Sequence, residues 1–98
     1  MGIETFRRVI QITKKLGDKV TELSAQNSLA VTLRSVGQFD QAIEGLFNSL
    51  GLAEQLERQV SQAVAHTNIG VLFWMLNDER ATSHQQRSLQ IFKDFFKF

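Results

Sequence analysis

Apolar residues recur along this chain at the spacing of one face of an α-helix. Between residues 39 and 56 they are Phe39, Ala42, Ile43, Leu46, Leu50, Ala53 and Leu56, and before Gly37 they are Leu29, Leu33 and Val36. Glycine tolerates the left-handed conformation that ends helices, so Gly37 and the pair Gly17-Asp18 predict helix ends. The pattern predicts five helices, at about 3–16, 19–36, 39–56, 59–76 and 79–96.

The chain also overlays itself when it is shifted by about forty residues. Phe6, Ile10, Ile12 and Leu16 become Leu46, Leu50, Leu52 and Leu56, and Leu29, Ala30, Leu33 and Val36 become Ile69, Gly70, Phe73 and Leu76. After one deletion near residue 78, Ala42, Ser49, Leu50, Leu52 and Leu56 become Ala81, Ser88, Leu89, Ile91 and Phe95. Such self-similarity is typical of a solenoid.

The fold class predicted from this repeat is all-α, a helix-turn-helix solenoid of five helices and about two and a half repeats. It forms a single domain over residues 1–98, with the second helix of an incomplete repeat at 1–18 and full repeats at 19–58 and 59–98. Small residues mark the predicted helix crossings, where Ala30 or Gly70 meets Ala42 or Ala81. The turn at Glu57-Arg58 must be built without glycine.

Composition narrows the function classes. The chain has no cysteine and no proline, so it offers no disulfide framework and no Cys-based zinc site. Its first residues contain charges every few positions and no apolar signal segment, and no run approaches the ~20 apolar residues of a membrane span. We therefore expect a cytoplasmic location and no membrane span.

Charge is balanced overall, at +1, but unevenly spread. Residues 1–20 are mainly basic, and residues 35–57 contain acidic residues without a basic one. Opposite patches favour self-association or solvated faces over nucleic-acid binding. A minor alternative, nucleic-acid contact through Arg7, Arg8, Lys14 and Lys15, would show a steep salt dependence.

No constellation of residues predicts catalysis. His66 lies on the packing face of the fourth helix and is expected to be partly buried, whereas His84, within "TSHQQR", is expected at the surface. No pair of His, Asp or Glu has convincing metal spacing, and there is no glycine-rich phosphate loop. We expect no enzyme activity, no metal and no cofactor.

Two segments, "NSLAVTLRSVGQFDQAIEGLFNSLGLAEQL" and "TNIGVLFWMLNDERATSHQQRSLQIFKDF", resemble the tetratricopeptide repeat family, and "IQITKKLGDK" is similar to the end of an earlier repeat. The period of 39–40 residues exceeds the usual 34 and is similar to the repeats of kinesin light chains and bacterial signalling proteins. The second repeat departs from the pattern, since Gln85 and Gln86 replace a bulky residue. The resemblance covers nearly the whole chain.

The resemblance implies that the first helix of each repeat lines a concave groove for a protein or peptide ligand. That face would carry Ser24, Asn27, Val31 and Arg34 on the second helix and Thr67, Asn68, Val71, Trp74 and Met75 on the fourth. Asparagine can bind a peptide backbone through donor and acceptor, and arginine can pair with a carboxylate. Alternatively, Trp74 and Met75 pack against a neighbouring helix or protomer.

The ending "FKDFFKF" is unusually aromatic. Phe92 and Phe95 fit the inward stripe, whereas Phe96 and Phe98 extend it around the helix, which predicts self-association through these four residues. A homodimer is favoured, and neighbouring repeats of a longer parent would cover the same surface. The predicted function is a protein-interaction module. The alternative is a regulatory, peptide-sensing segment of a larger bacterial signalling protein.

Overall fold

A computed structural model describes residues 2–96 of the chain. It contains five helices: α1 (Ile3–Leu16), α2 (Lys19–Ser35), α3 (Phe39–Gln55), α4 (Gln59–Met75) and α5 (Arg80–Phe95). No strand occurs among the described residues, and each helix packs against the next one in the chain. The predicted all-α fold of five helices in a repeat-like arrangement is therefore confirmed.

The turns between the helices repeat at intervals of twenty residues. Positive φ angles occur at Gly17 (69°), Gly37 (81°), Glu57 (55°) and Asn77 (55°). At each turn, the left-handed residue and the residue after it donate their N–H groups to carbonyls of the preceding helix, as Glu57 does to Glu54 (3.1 Å) and Arg58 to Ala53 (2.9 Å). These paired bonds satisfy carbonyls that a helix end would otherwise leave unpaired. One turn geometry thus serves all four connections between described helices.

The one-residue deletion of the second repeat is absorbed at the start of α5. In the first repeat the N–H of Ala42 donates to Gln38 O, four residues back, whereas the N–H of Ala81 donates to Asp78 O, three residues back. The tighter first turn places α5 at residue 80, one residue later than expected. Asp78 accepts from the backbone and the guanidinium of Arg80, and these bonds hold the pKa of Asp78 at about 2.

The helices form two layers. Helices α2 and α4 contact each other, while α1, α3 and α5 lie on the other side and pack in the grooves beside them. The molecule measures 37 × 32 × 17 Å, and its smallest dimension matches two helices in depth. None of the five described helices combines the length and apolar character that crossing a bilayer would require.

Small residues bring the paired helices together. Ala30 and Ala42 are fully buried, and a Cβ atom on Gly45 would lie 3.3 Å from Ala30 Cβ. A Cβ atom on Gly70 would lie 2.9 Å from Gln85 Cγ and 3.3 Å from the carbonyl of Ala81. The expected approach of Gly70 to Ala81 is therefore present. The role of Gly45 was not expected from the sequence.

The turn at Glu57 predicts a gain of stability on mutation. A non-glycine residue in the left-handed region costs about 1–2 kcal/mol. Glycine removes this cost but also increases the conformational entropy of the unfolded chain, which offsets part of the gain. Glu57→Gly should therefore raise the free energy of unfolding by about 0.5–1 kcal/mol. Chemical denaturation measures this change. In contrast, Gln55→Gly inside the same exposed end of α3 should lower stability by about 1 kcal/mol. Equal effects of the two glycines would contradict the turn assignment.

Candidate functional site

Apart from Thr67, the residues expected to form a ligand groove lie on the face of α2 and α4 that turns away from the second layer. On α4, Val71 and Asn68 are half-buried and Met75 is 48% exposed. Trp74 is 71% exposed, the largest exposed fraction among the apolar side chains of this layer. The described residues therefore leave a large indole surface in water, which is unusual for a side chain of this size.

An apolar stripe accompanies this tryptophan. Val64 is 39% exposed and lies seven residues before Val71 and eleven before Met75, so the three share one side of α4. Sequence reasoning missed Val64, although its i, i+7, i+11 spacing is visible in the printed sequence. Together with Trp74 these residues form what we call the α4 stripe: Val64, Val71, Trp74 and Met75.

The α2 side of this face is more polar. Ser24 and Ser28 are exposed beside Val31, while Asn27 and Arg34 are half-buried. The Oδ1 atom of Asn27 is buried and accepts no hydrogen bond from the described residues. An unpaired buried acceptor is costly, so this carboxamide would gain from a rotation that brings Oδ1 to a donor.

Thr67 differs from its neighbours because its hydroxyl is used within the fold. It donates to Ala63 O (3.0 Å) and is hydrogen-bonded to the hydroxyl of Ser88 on α5. The bond to Ser88 ties α4 to α5, and the two bonds together leave Thr67 little capacity for a ligand. The structure thus brings Asn68, Val71, Trp74 and Met75 together on α4, with Asn27, Val31 and Arg34 on α2.

The second candidate surface is the aromatic end of α5. Phe92 is half-buried, and its ring is stacked on Phe96 (6.2 Å between centroids), which meets Phe95 edge-on at 4.9 Å. Phe95 was expected in the inward stripe, but it is 49% exposed, so that expectation is wrong. The reason is coverage: Leu89, which corresponds to the buried Leu50 of the first repeat, is likewise 55% exposed, because no described helix covers this side of α5. Phe98 lies outside the described residues.

A histidine pair joins α4 to α5. The Nδ1 atoms of His66 and His84 are 2.9 Å apart, and their rings are stacked with centroids 5.1 Å apart. His84 also meets Phe47 edge-on and packs against Phe73, over whose ring Arg80 lies at 4.3 Å. The expectation that His84 is a surface residue is therefore wrong. Its neighbours in the sequence are polar and gave no indication of these contacts with residues of α3 and α4.

The environment of this pair favours neutral imidazoles. Burial lowers the pKa of His66 below its ordinary 6.5, and nearby His84 and Arg87 lower it further, against the opposing effect of Glu54. Burial also lowers the pKa of His84, as does Arg80. A bond between two Nδ1 atoms needs one protonated and one bare nitrogen, so it is lost when both rings are protonated.

Between residues 2 and 96 no cluster of three or more His, Asp or Glu side chains could hold a metal ion. Comparison of the chain with protein-family models, with curated proteins and with solved structures gives no match.

The lowered histidine pKa values predict acid sensitivity. At pH values between the lowered pKa of the folded protein and the ordinary pKa of 6.5, the unfolded chain binds more protons than the folded one. The free energy of unfolding therefore rises with pH across that window. We expect the melting temperature to fall when the pH is lowered from about 7.5 to about 5. His66→Gln, which introduces the residue of the first repeat, should reduce this fall. An equal fall in the variant would contradict the role of the pair.

Proposed function

We propose that this chain is a protein-interaction module of the tetratricopeptide kind, which binds a peptide or protein segment on the open face of α2 and α4. One observation carries the proposal: Trp74 is 71% exposed at the end of the α4 stripe. Exposed tryptophan is enriched among the residues that dominate binding energy at protein interfaces. The stripe supplies the apolar surface around it, which a partner would remove from water.

Polar groups beside the stripe would orient such a partner. The half-buried Arg34 has donors for a carboxylate, and the carboxamide of Asn27, whose Oδ1 is buried and unpaired, could accept a backbone N–H after rotating outward. An extended or helical peptide that presents apolar side chains to α4 and polar groups to α2 fits this division. We infer a binding role without catalysis, a cytoplasmic location, and no need for a cofactor.

The repeat supports this assignment to the tetratricopeptide family, because paired helices with small residues at their crossings are shared with it. The alternative is that the same face senses a regulatory peptide within a larger bacterial signalling protein. Flanking sequence that encodes a kinase, a cyclase or a DNA-binding domain would favour that alternative. Both versions use the same surface and differ in what binding controls.

Peptide selection tests the surface. Peptides selected from a random library on the wild-type protein should shift the fluorescence of Trp74, the single tryptophan of the chain, to shorter wavelength on burial. Trp74→Glu should weaken their binding by about thirtyfold or more, measured by the anisotropy of labelled peptide. Ile12→Glu, an equal change at a 50% exposed site on α1, should leave affinity unchanged. Equal binding by Trp74→Glu and the wild type would rule out this surface.

A second proposed role is self-association through the α5 aromatic cluster of Phe92, Phe95 and Phe96, with Leu89 beside it. The exposed neighbours Lys93 and Asp94 carry opposite charges. In a two-fold contact between antiparallel α5 helices, Lys93 of each copy can approach Asp94 of the other. The contact would cover the aromatic rings and satisfy both charges.

Light scattering tests this dimer. At micromolar concentration the wild type should approach twice the monomer mass of 11.1 kDa, and Phe96→Glu should return it to the monomer, because a buried carboxylate would lack a partner. Leu16→Glu, at a 75% exposed position on α1, serves as the control and should leave the mass unchanged. A wild type of monomer mass, or a Phe96→Glu protein that still dimerises, would overturn the proposal.

A further inference from the structure

A cavity with a mixed polar and apolar lining lies in the layer opposite to the candidate groove. It has a volume of about 270 Å³ and opens between α1 and α3, with α2 as its floor. At its mouth Nη2 of Arg7 donates to Oε1 of Gln41 (2.7 Å) and so connects the two helices. Carboxamides form much of the lining, from Gln11, Gln26, Gln41 and Asn48.

Gln26 is the notable group in this cavity. The residue is only 6% exposed, and its side chain lines the cavity. Its polar atoms are still open to the water of the cavity, since the one buried unpaired side-chain atom among the described residues is Oδ1 of Asn27. A ligand that displaced this water would have to supply equivalent hydrogen bonds. Gln26 therefore offers a donor and an acceptor to whatever enters the cavity.

The second repeat shows what this hollow accommodates. Three cavity residues, Arg7, Gln26 and Leu33, correspond after forty residues to Phe47, His66 and Phe73. Gly45 also lines the cavity and corresponds to His84. On α5 the deletion shortens the spacing between equivalent residues to 39, which also relates the buried residues Ala42 and Ala81.

The imidazole of His84 fills the equivalent hollow in the second repeat. Its ring centroid lies 5.1 Å from that of His66, 5.6 Å from Phe73 and 5.9 Å from Phe47, and its Nδ1 is hydrogen-bonded to His66. Its three ring neighbours are thus the counterparts of three cavity residues. In the first repeat Gly45 has no side chain, and the space stays open.

We propose that the first-repeat cavity binds the imidazole of a histidine from a partner peptide. Gln26 takes the place of His66 and hydrogen-bonds a ring nitrogen, since its carboxamide serves either tautomer. Arg7 takes the place of Phe47 and lies against the ring, and its positive charge opposes protonation of the imidazole, whereas the carboxylate of Glu44 in the lining favours it. A phenyl ring would fill the space but leave Gln26 unpaired. This site is separate from the α4 stripe and does not depend on it.

Amide NMR with N-acetylhistidine methylamide tests the site. The Gln26 side-chain NH2 and the Gly45 amide should shift and saturate at about millimolar concentration, the range for so small a ligand. N-acetylalanine methylamide should leave both signals unmoved. Failure to shift them with the histidine compound, or equal shifts with the phenylalanine analogue, would overturn the proposal.

Variants provide the matched controls. Ala30→Gly with Gly45→His copies the second repeat, relieving the 3.3 Å approach of a Cβ at residue 45 to Ala30, and should abolish binding by filling the cavity. Gln26→Leu should weaken binding by a factor of about 3 to 10, whereas Gln55→Leu on the exposed side of α3 should not. Unchanged binding by Gln26→Leu would overturn the proposal even if the double variant failed to fold. Trp74→Glu, which lies outside the cavity, should bind the histidine compound normally.

Discussion

The fold depends on one hydrogen-bonded turn that returns every twenty residues. Each turn needs a residue with positive φ, at Gly17, Gly37, Glu57 and Asn77, and each binds the carbonyls of the helix that it ends. A constant interval fixes the length of the helices between the turns. Because these lengths match, successive helices can lie antiparallel with their small residues at the same height along the helix axes. The two layers, and every surface discussed above, follow from that regular interval.

The sequence predicted most of this architecture because the relevant forces are local or periodic. Apolar spacing gave the helices to within one residue, and Gly37 marked one turn through its own conformational freedom. Glu57 carries no such signal, and only its place in the repeat indicated a turn. Gly45 was overlooked because a glycine inside a helix does not reveal which neighbour it approaches.

The sites were less predictable because they depend on which helix covers which face. His84 lies in a polar stretch, but Phe47 and Phe73 reach it from two other helices. Conversely, Phe95 has the spacing of a core residue but is 49% exposed. Burial requires a second helix that packs against the side chain, as well as the correct position on its own helix. Residues that share a face can be identified from spacing. Whether that face is covered is a property of the assembled fold.

The side chains that bridge alternate helices make the two repeats unequal in cooperativity. Between α3 and α5 the link is aromatic, since Phe47 on α3 meets His84 on α5 edge-on and also packs against Phe73 on α4. Between α1 and α3 it is the exposed hydrogen bond from Arg7 to Gln41, which water can replace. In a repeat protein, nearest-neighbour contacts of this kind determine which parts unfold together. We therefore expect helices α3, α4 and α5 to open together, and the amide hydrogens of α1 to exchange with solvent through a smaller, local opening that leaves the aromatic link intact.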